Sequence, residues 1–430
     1  MMSVTVGKML KRVQTGLMAV SLITVTVMAQ TVVKSAAVVD PVDSYNYIIG
    51  TTNIGSAYQF TNKSLLIEGA DQVLAMGSNI IKVNIGPNYV QNGYAKEENP
   101  KIKSLVDLAE LSDFNRLFHM PFKYYILWTY PFSTNAKVFP FHGKMDPVLR
   151  ANEYKEMYAF TRYLLTTYSG TGKTFYLGNW EGDWHLLSGS VKREHKWEQD
   201  PNPDAPEGMI DWLTTRQKAI DDAKRDTPHK DVQVWFYVEV NLVQKSIRED
   251  KATVSSAVLP FVNPDFVSYS SYDSTDAKDM QTALPAALDY MQSKLKPKPG
   301  LPEKRVFIGE YSCYARKLNY DGALQDARMR EVIAASVKWG TPLVLYWQLY
   351  ENKSRNVDQP LSGNWLVDNT GKRWPVWYTY QSFDKDAREY VGSTLKTSGH
   401  VPSTKDFQAF TYKWFSSPDT RAKESAPAKP

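Results

Sequence analysis

A single cysteine, Cys313, stands in 430 residues. It cannot close an internal disulfide, which excludes a disulfide scaffold, a cysteine-based zinc site and an iron–sulfur cluster. Histidine is scarce as well. The six, at 119, 142, 185, 195, 229 and 400, include no HExxH and no i, i+4 pair, so neither a metal nor another cofactor is expected. A serine-centred GxSxG elbow is missing too, which weighs against a serine esterase. Gly170-Thr171-Gly172-Lys173-Thr174 resembles half of a phosphate loop, but Thr167 stands where the first glycine is needed. A helical pattern precedes it and a strand pattern follows, so it reads as a turn between the two. Beyond the first 29 residues no apolar run is long enough to cross a bilayer.

What the chain has in plenty is aromatic side chains: 12 Trp, 26 Tyr and 17 Phe. With 43% hydrophobic and 23% charged residues it is otherwise of ordinary globular composition. Its start is basic (Lys8, Lys11, Arg12), then apolar from about Leu17 to Met28, ending Val27-Met28-Ala29. That order describes a secretory signal peptide at 1–29, cut after Ala29, and a secreted or periplasmic protein with no membrane attachment after cleavage. Cleavage takes the formal charge from +5 to +2, leaving no reason to expect a nucleic-acid partner. Oligomeric state is not readable.

Eight β-branched or apolar runs bounded by turn residues follow: 47–52, 80–85, 124–130, 174–179, 233–240, 266–271, 305–310 and 342–348. Amphipathic stretches alternate with them at 63–76, 102–117, 148–167, 209–225, 244–258, 279–294, 320–339 and 377–390. Eight strand–helix units predict a parallel sheet closed into a single-domain (β/α)8 TIM barrel over 45–415, with a doubly wound open sheet as the alternative. Residues 30–44 form a lead-in, and the Ser-, Pro-, Lys- and Ala-rich tail 416–430 reads as disordered. Long connections at 181–207 and 349–374 fall on the face where barrel chemistry resides.

Two of the strand ends carry a glutamate. The fourth runs Gly178-Asn179-Trp180-Glu181-Gly182-Asp183-Trp184, and the seventh Phe307-Ile308-Gly309-Glu310-Tyr311. Three βα units separate them, as for strands on facing sides of a barrel mouth. Cleaving a glycosidic bond takes two carboxyls, one neutral to protonate the leaving oxygen and one ionised to attack carbon or activate water. Trp128, Trp180, Trp184 and Trp347 also fall at strand ends, and flat rings with a polar edge suit the apolar face of a sugar. Glu239, closing the fifth strand, would be a third acid at the mouth, binding hydroxyls, tuning a neighbour or pairing with a lysine. Tyr269 or Tyr272 could donate to Glu310 and keep it ionised, and His185 could assist the acid.

These stretches resemble the clan A retaining glycoside hydrolases. That clan places an acid/base Glu preceded by Asn after strand four, a nucleophilic Glu at the end of strand seven, and a Trp on strand eight. Asn179-Trp180-Glu181, Ile308-Gly309-Glu310-Tyr311 and Leu345-Tyr346-Trp347-Gln348 occupy the corresponding places, and Gly363 to Trp377 resembles the clan's lead into the last helix. Here Trp180 intervenes between Asn179 and Glu181, which leaves Asp183 as a rival acid. The resemblance implies Glu310 as nucleophile and Glu181 as acid/base. Asn179, Trp128, Trp180, Asp183, Trp184, Glu239, Tyr269, Tyr272, Tyr311 and Trp347 are then candidates to bind a carbohydrate. A non-catalytic carbohydrate-binding barrel and a barrel hydrolase of other chemistry remain open.

Overall fold

The structure, a computed structural model, describes residues 39–134, 137–188, 198–352 and 361–417. The expected signal peptide, nearly all of the tail and parts of both long connections lie outside these residues. Eight parallel strands close a barrel in sequence order: β1 (Ile49–Thr52), β2 (Ile80–Ile85), β3 (Tyr124–Thr129), β4 (Lys173–Gly178), β5 (Val232–Val240), β6 (Phe266–Ser270), β7 (Val306–Tyr311) and β8 (Val344–Tyr346). β1 pairs with β8 to complete the ring. The open-sheet alternative is thereby excluded.

Alternation along the strands sorts side chains between two cores. Ile126 on β3, Tyr176 on β4, Tyr237 on β5 and Phe307 on β7 fill the barrel interior. Their neighbours Leu127, Phe175, Val238 and Ile308 point outward beneath the helices. Several helices are fixed by their ends. Pro147–Thr167 starts at Asp146, whose carboxylate accepts the Val148 and Leu149 N–H groups. Gly322–Trp339 starts at Asp321 in the same way and stops at Gly340, φ 103°, a conformation that costs glycine nothing.

Three stretches differ from the sequence expectation. The pattern at 102–117 is two helices, Leu105–Glu110 and Ser112–His119, because Leu111 between them is extended at ψ 141°. The one at 244–258 breaks where Asp250 turns left-handed, φ 52°, and resumes as a π-turn at Val254–Val258. A last helix, Thr404–Ser416, was not expected. Ser403 caps it, it buries Phe407, Trp414 and Phe415, and it ends at the residue where the disordered tail was expected to begin.

Candidate active site

The C-terminal mouth of the barrel opens into a cavity of about 1130 Å³. Glu181, in the turn after β4, and Glu310, on β7, both line it, with Trp180, Trp184, Tyr272, Tyr314 and Trp347 among the walls. Strict alternation from the inward Phe307 and Gly309 would send Glu310 outward. The register between β6 and β7 shifts at this point, Tyr269 pairing with Ile308 but Ser270 with Glu310. This irregularity turns Glu310 to the mouth and Tyr311 away from it. Gly309 permits the shift: a Cβ there would lie 1.7 Å from Ser268 Oγ and 3.0 Å from Glu239 Oε2. Gly178 serves β4 likewise, since a Cβ would meet the Tyr237 ring at 2.5 Å.

Beneath the two glutamates lies a polar cluster that the barrel buries completely. Lys82, in the middle of β2, and Glu239, on β5, are each 0% exposed and pair at 2.7 Å. The Lys82 ammonium also donates to the Gly309 carbonyl at 3.0 Å and to Glu310 Oε1 at 3.3 Å. Glu239 Oε2 accepts from Ser268 Oγ at 2.7 Å as well, while its Oε1 accepts the Trp128 indole N–H at 3.1 Å and the Glu181 main-chain N–H at 3.2 Å. Four donors on one carboxylate satisfy a charge that burial would otherwise make prohibitive.

The two mouth glutamates sit in different surroundings. Both oxygens of Glu310 accept hydrogen bonds, Oε1 from Lys82 and Oε2 from the Tyr272 hydroxyl at 3.2 Å. Burial pushes its carboxyl up, and the ammonium beside it acts in the opposite direction. Glu181 Oε2 accepts the Trp184 indole N–H at 2.7 Å, which leaves Oε1 able to carry a proton. Burial, and next the Glu239 charge, push the Glu181 carboxyl up to about 7.

Several expected site residues have other work. Asp183 is 1% exposed, and its carboxylate accepts main-chain N–H groups of Asn241, Leu242 and Val254 at 2.9, 3.1 and 2.8 Å. It braces the loops and does not line the cavity. Asn179 is fully buried and exchanges hydrogen bonds with the main chain of Glu239; it neither lines the cavity nor hydrogen-bonds Glu310. Tyr269 points out of the barrel to Asp273 and Ser274, leaving Tyr272 as the donor to Glu310. Tyr311 also points outward, against the Tyr380 hydroxyl. For both tyrosines the alternation of inward Ser268 and outward Tyr269, and the shift at Glu310, decide the direction. Trp128 lies below the cavity, its ring 5.6 Å from Trp347 and 6.3 Å from Trp180, while Trp180 is exposed at the rim. His185 hydrogen-bonds Tyr130 at 2.8 Å and stacks on Phe139 at 4.2 Å.

Sequence reasoning missed Lys82. Its signal was there: a lysine inside the apolar run Ile80-Ile81-Lys82-Val83 is tolerable in a buried strand only with a carboxylate partner. It also missed the far wall, where Tyr314 and the Asp276–Lys317 ion pair, 2.8 Å apart, reach the cavity.

No protein-family model matches the chain, and no curated protein does. Among solved structures it is similar to GH5_18 from Streptomyces cattleya in complex with Manb1-4GlcNAc, at 13% identity and a TM-score of 0.51, over 83% of this chain and 82% of that one. A second structure of GH5_18 from that organism, in complex with GlcNAc, matches at 11% identity and TM-score 0.50 over 85% and 87% of the two chains. A family 39 glycoside hydrolase from Bacteroides cellulosilyticus WH2 matches at 11% identity and TM-score 0.50, over 81% of this chain and 65% of that one. At these identities the likeness is one of fold, and the chain has the (β/α)8 barrel that these glycoside hydrolase structures also have.

Proposed function

We propose that the protein is a retaining glycoside hydrolase that cleaves a glycosidic bond in an oligo- or polysaccharide with Glu310 as nucleophile and Glu181 as acid/base. In the first step a Glu310 oxygen bonds to the anomeric carbon while the bond to the leaving oxygen breaks, and that oxygen takes the Glu181 proton. In the second, water attacks the same carbon, gives its proton to Glu181 and displaces Glu310. The observation that carries the reading is the inequality of two glutamates facing one cavity. Glu310 has donors on both oxygens, a set that favours the carboxylate, whereas Glu181 has one oxygen without a partner among the described residues and a neighbouring negative charge that favours its proton. The indoles of Trp180 and Trp347 on the cavity walls supply faces for sugar rings.

Aryl glycosides and polysaccharides assayed for released reducing sugar test this. The panel starts with β-mannosides, because one structural neighbour is bound to Manb1-4GlcNAc. Glu310→Gln is expected to abolish turnover at nearly unchanged thermal stability, and proton NMR of the first-formed sugar to show the substrate's anomeric configuration. Substantial turnover by Glu310→Gln overturns the nucleophile, and an inverted product overturns double displacement. The leader expected at 1–29 would bring the enzyme to extracellular or periplasmic carbohydrate.

A further inference from the structure

We propose that the buried Lys82–Glu239 pair makes two otherwise similar glutamates chemically unequal, its anionic end bearing on Glu181 and its cationic end on Glu310. Neither residue lines the cavity, so both act as positioning residues, and the inference rests on the two-glutamate reading above. The geometry is directional. Glu239 Oε1 holds the Glu181 main-chain N–H at 3.2 Å, which fixes a negative charge behind the acid. Lys82 Nζ touches Glu310 Oε1 at 3.3 Å and the carbonyl of Gly309 at 3.0 Å, which fixes a positive charge beside the nucleophile. The pair spans from β5 to β2 across the interior, so its field has opposite sign at the two mouth carboxyls. In a site shielded from water such a field is weakly screened.

The other charged and titratable groups around the two carboxyls do not supply this asymmetry. Asp183 neighbours Glu181 on its own loop and is committed to three main-chain N–H groups. Tyr272, after β6, donates to Glu310 and remains neutral, since burial pushes its hydroxyl well up. The Glu181 charge raises the Glu310 carboxyl, the direction opposite to that of Lys82. Lys82 and Glu239 each act on both carboxyls, but the Glu239 charge outweighs Lys82 at Glu181 and Lys82 outweighs Glu239 at Glu310, so the balance of the pair is opposite at the two. Burial and the Glu239 charge together push Glu181 up to about 7, whereas Lys82 opposes the effect of burial at Glu310.

The double variant Lys82→Met/Glu239→Gln removes both charges together, so neither member of the pair is left without the other. Its bell-shaped kcat/KM profile is expected to narrow from both sides, the acid limb rising and the alkaline limb falling by about one pH unit each. The maximum is expected to drop by about tenfold or more, with KM changing less than kcat. A profile as wide as the wild type's overturns the inference and leaves the pair a purely structural bridge. Should the double variant not fold, Glu239→Asp keeps the charge but retracts it from the Glu181 N–H. The alkaline limb is then expected to fall by less while kcat drops, and an unmoved limb overturns the proposal. Carbon-13 NMR titration of glutamate side chains in the wild type needs no substrate: Glu181 is expected to hold its proton to higher pH than Glu310. The reverse order refutes the inference even where glycosidase activity is established. Absence of glycosidase activity with the expected order refutes the function and leaves the pair's polarity standing.

Discussion

Replacing Asp183 with asparagine separates bracing from chemistry at the turn after β4. The Asp183 carboxylate ties this turn to the loop after β5 through the Asn241 and Leu242 N–H groups, and to the π-turn through that of Val254. Asparagine has one acceptor oxygen. If it takes the place of Oδ2 it keeps two bonds as weaker neutral ones, and its amide then faces the Val254 N–H donor to donor. Each bond that loses its charge gives up about 1 kcal/mol, and an unpaired buried N–H costs about 1–3 kcal/mol. Burial raises the Asp183 carboxyl, so removing the charge returns part of this. The net expectation is a loss of about 2–4 kcal/mol, read by denaturant titration, with turnover well above background at low temperature. Glu181→Gln should behave in the opposite way. It keeps an oxygen for the Trp184 indole and removes a carboxyl whose ionised form burial and the Glu239 charge oppose, so stability is expected to hold or rise while turnover of unactivated glycosides collapses. A stable Asp183→Asn that has lost turnover, beside an active Glu181→Gln, would refute the reasoning and make Asp183 the acid.

Tyr272→Phe deletes the hydroxyl that donates to Glu310 Oε2. We expect kcat to fall about tenfold, roughly 1.4 kcal/mol, and the acid limb of kcat/KM to rise, because the donor favoured the carboxylate. An unchanged acid limb counts against that contact. Asp384 is 1% exposed, neither carboxyl oxygen has a hydrogen-bond partner among the described residues, and burial pushes it well up. The folded chain therefore holds this proton more tightly than the unfolded one, so its stability is fully present below about pH 4 and is lost as pH rises toward the folded-state value. Asp384→Asn should gain about 1 kcal/mol or more at pH 7.5 and little at pH 4; equal effects at the two pH values would exclude an ionised carboxylate as the cause.

The barrel was legible because its strands are buried on both faces and read as near-continuous apolar runs, each bounded by turns. All eight appear within two residues of the expected limits, β8 losing two at each end as the run 342–348 shortens to Val344–Tyr346. The final helix has a legible pattern, Phe407, Phe410, Trp414 and Phe415 recurring at helical spacing behind Ser403, but eight strand–helix units already complete a barrel and leave it no place in the count. Glu181 and Glu310 were visible as acids at strand ends, but direction was not. Tyr269 and Tyr311 were assigned to the mouth by position alone, although period-two alternation already places Tyr269 opposite Ser268. The register shift at Glu310 is set by Ser268 and Glu239 crowding Gly309, a contact between strands far apart in sequence, and no single-strand pattern contains it.

The same contacts limit how charge can be arranged in the proposed cycle. Four ionisable groups, Lys82, Glu181, Glu239 and Glu310, meet within hydrogen-bonding or electrostatic reach, and only one of them is a cation. With all three carboxyls ionised the cluster would carry two uncompensated negative charges in a buried site, which the loss of hydration opposes strongly. A proton on Glu181 reduces this to one. When Glu310 becomes an ester with the sugar it loses its charge, and Glu181, having given up its proton, gains one, so the total stays the same while the negative charge passes from one side of the cavity to the other. Lys82 and Glu239 pair at 2.7 Å beneath the two. Hydrogen bonds tie this one buried pair to the side chain of Glu310 and to the main chain of Glu181, so both reacting carboxyls are held from below, and four donors on Glu239 together with three acceptors on Lys82 make a lysine and a third glutamate compatible with the middle of a barrel.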